Sequence, residues 1–162
     1  MASRSPVIKF LSGSGSDHRG RFLEDVLAFS DNELESRHDF IQWLFPLDTP
    51  SAAVPGSPVL SSEDIKEIRG CQQCRTNLLR AKERMERFYR ENDHWLVPFD
   101  HNHRRITRII RSLALLVGEA EAKEFYQFIE QRIADANAPI SATSRRFWRE
   151  AAPGVKDQQK GT

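Results

Sequence analysis

Residues 101–113 read HNHRRITRIIRSL, and the fold class turns on how they are read. Four arginines and two histidines share thirteen positions with four large aliphatics. At 100° per residue, the α-helical period, Ile106, Ile109, Ile110, Leu113, Leu116 and Val117 fall on one face. Arg104, Arg108 and Arg111 fall on the opposite one. The stretch is therefore an amphipathic helix with an apolar inner stripe and an arginine outer surface. Asn102 stands at the head of the apolar face, either as N-cap or as a buried, hydrogen-bonded amide, and His103 stands at the edge.

The neighbouring stretches follow the same period. Phe125, Phe128, Ile129 and Ile133 make the inner face of the next helix, and TSRRFWREA carries Phe147 and Trp148 on a short last one. Cys71, Cys74, Leu78, Ala81, Met85 and Phe88 recur at alternating spacings of three and four, a heptad-like core stripe. Ile65 and Ile68 drop out of phase with it, so a break is predicted near Gly70. Over 31–45, Ser30 and Glu33 form a capping-box pattern. FIQWLF within that stretch is apolar nearly all round, which predicts a central helix buried on several sides. SGSGSD at 12–17, PLDTPSAAVPGSP at 46–58 and ENDHWLVPF at 91–99 read as breaks. No β-branched alternation is sustained anywhere. The expectation is an all-α fold, a compact bundle of about six or seven helices around an apolar central helix (31–45). It places one helical domain over 1–150 and a flexible tail over 151–162.

The chain has 162 residues and a formal net charge of +1, from 24 Lys+Arg against 23 Asp+Glu. That balance gives no whole-chain attraction to nucleic acid or anionic membrane. Charge is nevertheless unevenly placed, with eleven acids and four bases over 17–67 and ten bases and five acids over 75–111. No stretch approaches the roughly 20 apolar residues of a membrane span, and the apolar run near the N-terminus is too short for a signal peptide. Two cysteines make no disulfide framework. These features predict a soluble, reduced, cytoplasmic protein.

Several residue groups invite a chemical reading. Cys71-Gln-Gln-Cys74 spells CxxC, but no second pair completes a zinc site, and both cysteines sit on the heptad stripe, so they are placed in the core. His101-Asn-His103 spells HxH, yet on a helix the two side chains lie about 200° apart. His38-Asp39 could serve a small metal-dependent hydrolase with His101, with His18 and Asp100 as nominal further ligands; otherwise His38 is a hydrogen-bonded core histidine. Arg104, Arg108 and Arg111 could track phosphates as a nucleic-acid-binding face, although no aromatic platform accompanies them. Glycine-rich phosphate loops, GxSxG and HExxH are absent from the sequence. The expectation is no catalytic residue, no metal and no cofactor.

HDFIQWLFPL at 38–47 and HNHRRITRIIRSL at 101–113 together resemble the conserved region of the opioid growth factor receptor family. Its pattern is similar to H-x-[YF]-I-Q-W-L-F-P followed some sixty residues later by H-N-x-x-R-I-T-R-I-L. Glu35 and the Ser144–Trp148 ending also look like the family, and the likeness spans roughly Phe10 to Trp148. The resemblance implies a helical domain unrelated to the seven-helix opioid receptors, here a single-domain homologue without the long C-terminal extension of the animal members. Those members are described as nucleus-associated receptors for the pentapeptide met-enkephalin, with a role in growth control. The expected function is thus a non-enzymatic, receptor-like binding domain for a peptide or protein segment. The two motifs together suggest a site at the head of the 101–113 helix, where free backbone N–H groups favour a carboxylate. His38, Gln42 and Trp43 come from the first motif, and His101, Asn102 and Arg105 from the second.

Overall fold

In the computed structural model, residues 4–152 are described. They form nine α-helices: α1 (Pro6–Ser12), α2 (Leu23–Leu27), α3 (Asp31–Ser36), α4 (Ile41–Leu44), α5 (Ser62–Arg69), α6 (Gln72–Glu91), α7 (His101–Leu116), α8 (Glu119–Ala136) and α9 (Ala142–Ala151). The protein is all-α. The described residues contain no strand, and a single parallel bridge joins Leu47 to Val59. None of these helices is long and apolar enough to cross a membrane. The chain gathers into two compact units, the first running to Ala81 and the second starting at Lys82, so α6 contributes its first half to one and its second half to the other.

The first unit corrects the reading of 31–45 as a single helix. α3 starts as expected, with the Ser30 hydroxyl accepting from the Glu33 N–H and the Glu33 carboxylate accepting from the Ser30 N–H. It ends at Ser36, where Arg37 turns extended. Asp39 is drawn away by Arg19, Arg21 and His18, and helix resumes only for the four residues of α4 before Pro46 stops it. The apolarity of 40–45 was a true sign of burial, since all six residues are buried. It said nothing about helix length. α4 packs on α1, with Phe10 edge-on to Trp43 at 5.6 Å between ring centroids. The Asn77 amide of α6 donates to the Leu11 carbonyl at 2.7 Å, tying α6 to the end of α1.

The break near Gly70 is present, with α5 ending at Arg69 and α6 beginning at Gln72. Of the heptad stripe, Cys74, Leu78, Ala81, Met85 and Phe88 are buried, while Cys71 is half-buried.

The second unit is built on α7, which packs on α8 and α9. Ile106, Ile109, Ile110, Leu113 and Leu116 are buried, as their spacing predicts, and so are Phe125, Ile129 and Ile133 of α8 and Trp148 of α9. The turn between α7 and α8 passes through Gly118 at φ 153 and ψ 162, a conformation that only glycine enters readily. α8 closes on Asn137 in the left-handed region, a role asparagine tolerates, and Pro139 follows. Lys82 is buried beside three carboxylates, with Nζ 3.0 Å from Glu121, 2.5 Å from Glu124 and 3.9 Å from Glu86. Of the stretch 151–162 expected as a tail, Ala151 ends α9 and Ala152 is buried. The remainder, 153–162, lies outside the described residues.

Candidate functional site

The head of α7 is a hydrogen-bonded assembly. Asp100, not Asn102, is its N-cap, and its carboxylate accepts from both the backbone N–H and the side-chain amide of Asn102, each at 2.9 Å. Asn102 is the buried amide, its Oδ1 accepting from the Tyr89 hydroxyl at 3.1 Å. His103 is buried as well, inside the face rather than at its edge. Its Nε2 lies 2.9 Å from the Trp95 carbonyl, which can only accept, so Nε2 carries the proton. Nδ1 then accepts from the Ser144 hydroxyl of α9 at 2.9 Å. The Trp148 indole N–H donates to the His103 carbonyl at 3.0 Å, and the two rings meet edge to face at 5.3 Å. One histidine thus joins the 92–100 loop, α7 and α9.

Beside this assembly a cleft of about 550 Å³ opens between α7 and α9. Its walls include Phe99, His101, Arg104, Thr107, Ser144 and Phe147. Phe99 is 75% exposed and Phe147 48% exposed, large apolar surfaces to leave in water. Arg104 is exposed and forms no ion pair among the described residues. Neither phenylalanine is expected at a site from the sequence, which puts Phe99 in the 91–99 break and Phe147 beside Trp148 on the last helix. The available signal was adjacency: Phe147 and Trp148 are neighbours on a short helix and cannot share a face.

The residues expected to form a site fall in both units. In the second, His101 is exposed and lines the cleft, while Asn102 and Arg105 are buried. Of the nucleic-acid alternative, Arg104 and Arg111 are exposed and Arg108 is half-buried. Burial, then the charge of Arg111, brings the Arg108 guanidinium down to about 10.

In the first unit His38 is exposed, not a core histidine. Gln42 is buried, its amide donating to the His38 carbonyl at 3.1 Å, and its Oε1 has no partner among the described residues. Trp43 packs between Phe10 and the stacked ring of His18, 5.9 Å away.

Asp39, the other half of the His-Asp pair, accepts from His18 at 3.1 Å, from Arg21 at 3.1 Å and from Arg19. Its carboxylate is engaged by three donors. Among the described residues no three His, Cys, Asp or Glu side chains come together as a metal cluster would require. Burial pushes the Asp39 carboxyl up, but the hydrogen bonds and charges of Arg19, Arg21 and His18 outweigh it and bring the group down to about 2. A depressed carboxylate stabilises the fold fully above its ordinary value, and that contribution drains as pH falls toward the folded value. Asp39 should therefore contribute ~1–2 kcal/mol above about pH 4 and progressively less toward pH 2. Urea unfolding of Asp39→Asn across this range should show a flatter acid limb than the parent, and parallel limbs would refute the role.

Residues 20–94 match the family model described as the opioid growth factor receptor conserved region. Curated relatives named opioid growth factor receptor come from rat, mouse and human, each 33% identical over 118, 118 and 121 residues. These alignments cover 60% of this chain and 20%, 18% and 17% of the relatives, so the chain spans about a fifth of their length. The resemblance read from the two motifs thus holds, and the family match itself ends at His94, before the second motif. No solved structure matches.

Proposed function

We propose, on its likeness to the opioid growth factor receptor family, that this chain is a non-enzymatic, receptor-like domain that binds a peptide or protein segment in the cleft between α7 and α9. The observation that carries this reading is the cleft wall: two exposed phenylalanines around an arginine with no ion-pair partner. Apolar surface with one convergent charge is the usual make-up of a recognition site. Arg104 offers a planar guanidinium to a carboxylate of the ligand, and Phe99 and Phe147 offer faces to an apolar or aromatic side chain. His103 and Ser144 satisfy each other and hold the two walls in register. The reading expects a cytoplasmic protein without cofactor.

The relatives' name makes met-enkephalin the first ligand to try, beside a scrambled peptide of equal composition. Calorimetric titration should give saturable binding for the matched peptide. Arg104→Ala and Phe147→Ala, both at exposed positions, should each weaken it by on the order of tenfold or more, as for central interface residues, without changing the unfolding midpoint. Undiminished affinity in both variants would move the site elsewhere. Binding of single-stranded RNA, lost in Arg104→Ala and Arg111→Ala, would favour the nucleic-acid reading instead.

A further inference from the structure

The Cys71-Gln-Gln-Cys74 pair has a place in the structure that the core stripe does not explain. Cys74 is fully buried, whereas Cys71 is half-buried at the corner between α5 and α6. Cys71 is the N-cap of α6. Its carbonyl accepts from the Arg75 N–H at 3.1 Å, and its Sγ accepts from the Cys74 N–H at 3.2 Å. Serine, threonine, aspartate or asparagine ordinarily fills that position. The Cys74 thiol also interacts with its Cys71 neighbour. Burial first, and that contact second, push the Cys74 thiol up to about 12, so it stays protonated behind its neighbour. Zinc would need two further ligands, and no such cluster exists among the described residues.

We propose that Cys71 and Cys74 form a redox-active dithiol, in which a hydroperoxide oxidises the accessible Cys71 and the buried Cys74 closes an intrachain disulfide. In the first step the Cys71 sulfur attacks the terminal peroxide oxygen. The O–O bond breaks, the leaving alkoxide takes up the Cys71 thiol proton and departs as the alcohol, and Cys71 becomes a sulfenic acid. In the second step the Cys74 sulfur attacks the Cys71 sulfur. The S–O bond breaks, and the hydroxyl leaves with the Cys74 proton as water. Two thiols lose two electrons in all, and the hydroperoxide is reduced to alcohol and water.

The spacing suits this. Residues three apart at a helix start have Cβ atoms about 5–6 Å apart, and a disulfide needs them at roughly 3.5–4.5 Å. The N-cap residue lies half outside the helix, so Cys71 can close the gap by moving the Gly70–Cys71 corner and leaving the rest of α6 in place.

The full chain is treated with a small excess of hydrogen peroxide, and its thiols are then mapped by mass spectrometry without reduction. A single intrachain Cys71–Cys74 disulfide is expected, reversible by dithiothreitol. Cys74→Ser should stop at the first step and yield a dimedone adduct on Cys71. Cys71→Ser supplies an ordinary capping hydroxyl, so the fold persists and Cys74 should resist maleimide until unfolding. In the untreated protein Cys71 should label at least about tenfold faster than Cys74, as accessible and buried thiols do. Two free thiols after peroxide with no dimedone adduct in Cys74→Ser, disulfides between chains only, or faster labelling of Cys74 would each overturn the proposal.

Discussion

Replacing Trp148 by alanine should lower the unfolding free energy by about 3–5 kcal/mol, the range for a large aromatic removed from a core. The side chain is fully buried, and α9 has no other buried large apolar residue, since Phe147 faces the cleft mouth. The loss can be divided. Trp148→Phe keeps most of the apolar area but deletes the indole N–H that donates to the His103 carbonyl. That carbonyl also accepts from the Thr107 hydroxyl at 3.1 Å, so it is not left unsatisfied, and the phenylalanine variant should lose only about 1 kcal/mol. Urea unfolding of both variants separates the terms. An alanine loss below ~1 kcal/mol, against that expected range, would mean that α9 contributes little to the second unit's stability. The proposed cleft would then lose one wall.

How far the fold could be read in advance depended on whether the deciding contacts were local. The stripe of Ile106, Ile109, Ile110, Leu113 and Leu116 is local, and it is buried as its period requires. The capping box at Ser30 and Glu33 and the break near Gly70 are local too, and both are present. The continuous 31–45 helix failed because the chain at 37–40 is turned by ion pairs with Arg19 and Arg21, some twenty residues away. No pattern inside 31–45 records that. The aliphatic stripe defines a narrow face that sets His103 at the edge of its helix; α9 widens that face, covering His103 and supplying Ser144 as its partner. Of the expected ligand contacts, His101 reaches the cleft, while Asn102 and Arg105 are used up inside the second unit. The spacing puts Arg104, Arg108 and Arg111 on the outer face and the second motif puts Arg105 in the expected site, and burial treats the four differently. Only Arg104 and Arg111 of the four are exposed.

Asn102 and His101 are adjacent in the second motif, and their alanine variants should behave in opposite ways. Asn102 is fully buried and bonded at both ends of its amide, to the Tyr89 hydroxyl and to the Asp100 carboxylate. Tyr89 is itself fully buried. Asn102→Ala therefore deletes the buried amide's hydrogen bonds to Tyr89, to Asp100 and to His94, which costs about 2–4 kcal/mol. The Asp100 cap on the backbone N–H of residue 102 survives the substitution, so α7 should start at the same residue and the helical content should hold. Tyr89→Phe removes the other half of the 3.1 Å contact. The double variant should then be more stable than the sum of the single losses predicts, by roughly 1 kcal/mol, as for residues in one network. His101 is exposed at the cleft wall, and its alanine variant should stay within about 0.5 kcal/mol of the parent. If His101→Ala also keeps full peptide affinity, the cleft reading rests on Arg104 and the two phenylalanines alone. Equal stability losses at 101 and 102 would contradict the geometry, because an exposed ring and a buried amide cannot contribute alike.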